Sequence, residues 1–198
     1  MNRFVGAISL AFASVTLLHG AVLTGPFALD KGHWTLVPNG DFQSGAMTDW
    51  VNCCEQIGIF RSSVAGGESS VNQAGKGSGF AVIQTVSVEP GGTYVLSGFV
   101  QTGELSGHFY LDLNDVSFEP HDDLQGGIGA AAGVAEWQFV WAAFTVPSKV
   151  TNITVRVVHD GCFQPGEHGY VDQVAVTPVC EFVPPETTDA VLKKKDTR

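Results

Sequence analysis

The sequence predicts an all-β fold, a two-sheet antiparallel β-sandwich or jelly roll, and three observations carry that prediction. From Trp34 onward the chain is written in short apolar runs separated by Gly, Pro, Asn and Ser. Glycine alone fills 24 of 198 positions. No apolar stripe recurs at the 3.6-residue period of a long helix. In order, the candidate strands are Thr35–Val37, Ile57–Ser62, Phe80–Val88, Thr93–Thr102, His108–Leu113, Glu136–Val146, Asn152–His159 and Tyr170–Val176. Pro90-Gly91-Gly92 supplies a turn between two of them, and Pro147-Ser148-Lys149 another. About eight strands in about 150 residues is the size of such a sandwich. The Gly-rich run 126–133 lacks bulk to pack and reads as a flexible loop, and the tail 183–198, with Pro184-Pro185 and a lysine run, reads as disordered.

The first 20 residues read differently. Arg3 precedes an apolar stretch from Phe4 to Leu18, and small residues follow at Gly20 and Ala21, which is the pattern of a secretory signal peptide. A retained anchor needs roughly 18 apolar residues; the small residues and Thr24-Gly25-Pro26 favour cleavage, so no membrane partner is expected afterwards. The sandwich domain is then expected over residues 33–182. In an exported chain Cys53, Cys54, Cys162 and Cys180 suggest two disulfides. Adjacent Cys53 and Cys54 are poor partners for each other, so each is expected to reach one of Cys162 and Cys180. Asn152-Ile153-Thr154 is an N-glycosylation sequon. A formal charge of −10 repels phosphate backbones and argues against nucleic acid, while neutral glycans and cations remain permissible.

Alternation along the strands sorts side chains onto faces. From His108 to Asn114, Phe109, Leu111 and Leu113 share one face, and His108, Tyr110, Asp112 and Asn114 share the other. The second strip sets an aromatic ring beside a carboxylate and an amide. Such a strip suits a ligand that is apolar on its ring faces and hydroxylated at its rim, as sugars are; it also suits the solvated side of an antiparallel sheet. Between Trp137 and Val146 both sets are apolar: Val140, Ala142, Phe144 and Val146 on one side, Trp137, Phe139, Trp141 and Ala143 on the other. Burial on both faces explains this, and so does an aromatic groove built by Phe139 and Trp141. Phe99 and Gln101 alternate away from Tyr94, Leu96 and Val100, and Arg156 away from Ile153, Val155 and Val157, where its guanidinium offers a hydrogen-bond fork.

Four segments in order resemble carbohydrate-binding modules with the galactose-binding-like jelly roll, especially families 4, 9 and 22. Leu36-Val-Pro-Asn-Gly-Asp-Phe42, followed by Gly45 and Trp50, is similar to their opening "N-G-x-F-E-x-G…W" segment. Gln84 to Tyr94 resembles their strand, turn and tyrosine; Trp137 with Phe144-Thr-Val-Pro147 their "W…F-T-V-P"; and Tyr170-Val-Asp-Gln-Val174 their closing "Y-I-D-D-V". The resemblance implies a jelly roll whose concave sheet binds glycans, with Phe99, Gln101, Tyr110, Asp112, Asn114, Phe139, Trp141 and Arg156 as candidate ligand residues. It also implies structural calcium where the first and last strands meet, at Asn39, Asp41, Gln43 and Asp172. Gln43 stands where the family usually has Glu, and Gln173 where a second Asp is common, and fewer charges mean weaker calcium binding.

Three function classes follow. The leading expectation is a secreted, non-catalytic module that binds an oligo- or polysaccharide. The second is a secreted structural or adhesive protein whose partner is a cell-wall or secreted protein held on the same face. A small hydrolase or lyase is the third; it needs two carboxylates across a cleft at roughly 5–10 Å, and Asp112, Asp115 and Glu136 are the candidates. No Gly-x-Ser-x-Gly motif is present, and His121-Asp122-Asp123 reads as a polar loop.

Overall fold

The computed structural model describes residues 21–24, 27–28, 35–42, 44, 46–52, 57–60, 70–73, 78–102, 108–113, 128–130, 136–162 and 169–187. The leader-like segment, Gln43, Cys53, Cys54, Asn114, Asp115, the 121–123 loop and the tail from residue 188 lie outside the described residues.

All regular structure among the described residues is β. Its strands are β1 (Ala21–Thr24), β2 (Phe27–Ala28), β3 (Val51–Asn52), β4 (Ile57–Phe60), β5 (Ser70–Gln73), β6 (Ser78–Ser87), β7 (Thr93–Gln101), β8 (His108–Leu113), β9 (Ile128–Ala130), β10 (Gln138–Thr145), β11 (Asn152–Cys162), β12 (Tyr170–Pro178) and β13 (Glu186–Thr187). A six-stranded sheet runs β1-β10-β7-β12-β5-β4 and a five-stranded sheet β3-β6-β11-β8-β9, while β13 pairs with β2. Every pairing is antiparallel. The expected all-β sandwich is therefore the observed architecture.

The core lies between the two sheets. Tyr94, Leu96 and Val100 of β7, Val140, Ala142 and Phe144 of β10, and Val171, Val174 and Val176 of β12 face Val82 and Val86 of β6, Leu111 and Leu113 of β8, and Ile153, Val155 and Val157 of β11. The period-two alternation of each strand delivers one of its faces to this layer. Gly98 lies where the sheets approach closely, since a Cβ there would stand 2.8 Å from Leu111 Cδ1.

Three segments differ from expectation. Residues 35–37 form no strand: Leu36 N–H bonds Val176 O, but Val176 N–H is answered by Thr35 Oγ1. Pro38 has no N–H and Asn39 takes a φ of 50°, so the chain turns before a ladder can grow. Within the Gly-rich run, Ile128–Ala130 pairs with β8 because Ile128 is an apolar residue the core can use and is 4% exposed there. The described strands also extend beyond the span 33–182, through β1 and β2 on one side and β13 on the other.

Gly40 explains the Asn-Gly pair of the opening segment. Its carbonyl accepts Val174 N–H at 2.8 Å, and a Cβ at this position would stand 2.0 Å from Val174 O. A Gly40→Ala chain is expected to lose about 3 kcal/mol of stability through this backbone clash. Urea denaturation read by tryptophan fluorescence checks it, and an unchanged midpoint would show that the 39–42 segment does not lie on β12.

Candidate functional site

The outer face of the five-stranded sheet is built by the side chains that alternate with the core set. Register aligns Val51 of β3, Ile83 of β6, Arg156 of β11 and Asp112 of β8 in one row, and Ala81, Val158, Tyr110 and Gly129 in the next. Arg156 Nη2 donates to Asp112 Oδ2 as an ion pair across the β8–β11 ladder. Asp112 Oδ1 accepts Leu113 N–H at 2.6 Å, so both carboxylate oxygens are engaged. The carboxylate side chain is 7% exposed and the Arg156 side chain 35%. Arg156 thus covers Asp112 and keeps part of its own fork toward solvent, while its Nε is buried with no hydrogen-bond partner. Tyr110 is 8% exposed and lies flanking the pair rather than as an open platform. Ile83 and Val51, which prolong the row with apolar surface, were invisible from the sequence because strand register alone puts them beside Arg156.

Phe99, Gln101, Phe139 and Trp141 belong to the opposite side of the molecule. They project from the outer face of the six-stranded sheet, so they share no groove with Tyr110, Asp112 and Arg156. The reason is connectivity: β7 and β10 are neighbours in one sheet, while β8 and β11 are neighbours in the other. Phe99, Phe139 and Trp141 are buried at 2%, 5% and 5% exposure in a second apolar cluster with Val95. Phe99 and Phe139 lie 4.8 Å apart at their centroids, and Phe139 and Trp141 5.4 Å apart. Val179 and Phe182, from the segment after β12, pack over them. Both faces of β10 are therefore covered, and of the two explanations for its doubly apolar pattern, burial holds. Gln101 is half-buried at the strand end.

The opening segment and the closing strand do meet. Gly40 is bonded to Val174, two residues from Asp172, which is fully buried and accepts Gln173 N–H through Oδ1 at 2.8 Å. Asn39 spends its amide on its own loop: Nδ2 donates to the carbonyls of Ala46 and Thr48, and Oδ1 accepts Ser44 N–H. Asp41 is exposed. Among the described residues no three His, Cys, Asp or Glu side chains gather as metal ligands. Trp50 packs in the core, its ring 5.4 Å from that of Phe42 and its Nε1–H donating to Asn39 O. Cys180 is exposed and free, and Cys53 and Cys54, expected to pair with it or with Cys162, lie outside the described residues.

Removing the Arg156 side chain would leave Asp112 a buried carboxylate with one partner. Arg156→Ala is expected to cost about 2 kcal/mol, less than a fully buried pair because Arg156 already keeps water contact. A double-mutant cycle with Asp112→Asn in chemical denaturation reads the coupling, and additive effects would deny that the two side chains act as a pair.

No protein-family model matches the chain, and no curated protein matches it. Solved structures do. A family 16 carbohydrate-binding module superposes with a TM-score of 0.58 at 16% identity over 72% of this chain and 99% of its own. A family 61 module solved in complex with β-1,4-galactotriose gives 0.54 at 17% over 73% and 99%. The tandem family 22 modules of Paenibacillus barcinonensis Xyn10C give 0.51 at 15%, over 70% of this chain and 49% of that one. The described part of the chain has the jelly-roll fold of carbohydrate-binding modules.

Proposed function

We propose that the chain is a secreted, non-catalytic module that binds a neutral oligo- or polysaccharide on the outer face of the five-stranded sheet. The observation that carries this reading is the Arg156–Asp112 pair. Asp112 fixes one arm of the guanidinium, so the remaining donors are held in place for hydroxyl oxygens. Ile83 and Val51 lie in the same row and offer apolar surface to a sugar ring's C–H face, with Tyr110 at the side. The structural neighbours support a saccharide as the ligand class, and the net acidity disfavours anionic ones.

A catalytic role for Asp112 is disfavoured by the same geometry. Asp112 gives both oxygens to Arg156 and to Leu113 N–H, which leaves it no role as acid or nucleophile without breaking the pair. Secretion rests on the leader pattern of the first 20 residues. Structural calcium is proposed where the 39–42 segment meets β12, supported by the Gly40–Val174 contact near Asp172.

A glycan array and calorimetry test the binding face. Arg156→Lys keeps the charge and loses the planar fork; it is expected to weaken oligosaccharide binding about tenfold, near 1.4 kcal/mol, and Tyr110→Ala is expected to weaken it less. Equal binding by wild type and both variants would remove this face, and a clean negative across glycans with a captured protein partner would favour an adhesive role. Reducing-end release from the same panel would establish catalysis instead. For calcium, a melt in excess EGTA is expected to fall by several degrees relative to one in millimolar calcium, and identical melts would reject the site.

A further inference from the structure

The outer face of the six-stranded sheet carries a second ring-stacking arrangement, and the protein itself fills it. Phe182 lies on Phe139 with centroids 6.3 Å apart and planes 9° apart, and beside Trp141 at 6.3 Å and 38°. The cover is chemically incomplete. Trp141 is 5% exposed, yet its Nε1–H has no hydrogen-bond partner. A benzyl group supplies a ring to this face and no acceptor, and a buried donor left unanswered destabilises the closed arrangement.

The covering segment is also lightly attached. Val179 N–H reaches Thr93 O at 3.1 Å, and Glu181 N–H closes a turn on Pro178 O at 2.9 Å. Phe182 itself is only partly buried and Val183 is 64% exposed. Beyond them, β13 is tied to β2 by two residue pairs. The rings beneath Phe182 are far better fixed, since Phe139 and Trp141 lie in β10 and are paired on both sides, with β1 and β7.

We propose that the segment Val179–Pro185 is a displaceable strap over a second glycan subsite. A neutral pyranose takes the place of Phe182 on Phe139 and Trp141, and one of its oxygens accepts the Trp141 Nε1–H. Such a ring has the flat C–H face that Phe182 imitates and the acceptor that Phe182 lacks. Because the strap must leave first, apparent affinity is reduced by the fraction of molecules in which it is open. The subsite rests on the same ligand class as the face described above but uses none of its residues.

The test uses the full chain carrying Tyr110→Ala, which weakens the first face, and calorimetric titration with cellohexaose, xylohexaose and β-1,4-galactotriose. Adding Phe182→Ala is expected to tighten binding of at least one of them about tenfold or more. Trp141→Phe on top, which keeps a ring and removes the N–H, is expected to abolish that gain. Unchanged affinity for all three sugars, or a gain that survives Trp141→Phe, overturns the proposal. Should thermal melting show Phe182→Ala unfolded, Phe182→Leu keeps apolar cover without ring stacking and is expected to give a smaller gain of about threefold. Failure of the first face is seen separately, as wild type and Tyr110→Ala binding alike.

Discussion

The constraint on which the molecule depends is that β7 and β10 are apolar on both faces. An antiparallel sheet ordinarily needs one cover, because polar residues solvate its other side. Here Leu96, Val100, Val140 and Phe144 need the five-stranded sheet above them, and Val95, Phe99, Phe139 and Trp141 need something below. The second requirement recruits the segment after β12, whose Val179 and Phe182 close the lower cluster. It also accounts for strands outside the span suggested by composition: β1 adds to the β10 edge, and β2 pairs with β13 beyond the covering segment.

The five-stranded sheet works under the opposite rule. Its inner face is aliphatic apart from the buried Gln84, whose Nε2 donates to Pro38 O and Asp49 O, and its outer face mixes a cation, a carboxylate, threonines and a tyrosine. A buried carboxylate is tolerated because Arg156 stands directly opposite it in the ladder and Leu113 N–H meets its second oxygen. This arrangement limits what the face can do. It holds a guanidinium ready for hydrogen bonding, and it engages both carboxylate oxygens of Asp112.

Much of the fold was legible because alternation is a local property. The strip His108–Leu113 was placed to the residue, and Thr93–Thr102 and Asn152–His159 closely, since each carries an unbroken apolar set at period two. The strands missed have no such pattern. Ser70–Gln73 is polar save for Val71 and is ordered by its neighbours, and Val51–Asn52 is too short to show a period. The candidate site was legible only in part. Alternation correctly set Tyr110, Asp112 and Arg156 apart from the core, but it carries no information on which sheet a strand joins. Alternation therefore groups Phe99, Phe139 and Trp141 with them, although the sheet order puts the two sets on opposite faces. The covering role of Phe182 was hidden for a similar reason, since a lone phenylalanine three residues after Val179 announces no partner.

In the wild-type chain the proposed saccharide-facing surface is the row through Ile83, Arg156 and Asp112, while the aromatic cluster lies closed under Phe182. Amide shifts of isotopically labelled wild-type protein, titrated with the best-binding oligosaccharide of the panel, test it most directly. The largest changes are expected on the amides of Tyr110–Leu113, Val82–Gln84 and Val155–Val157. Largest changes at Phe139–Trp141 and Val179–Phe182 in the wild-type chain, or no change with any member of the panel, would contradict it.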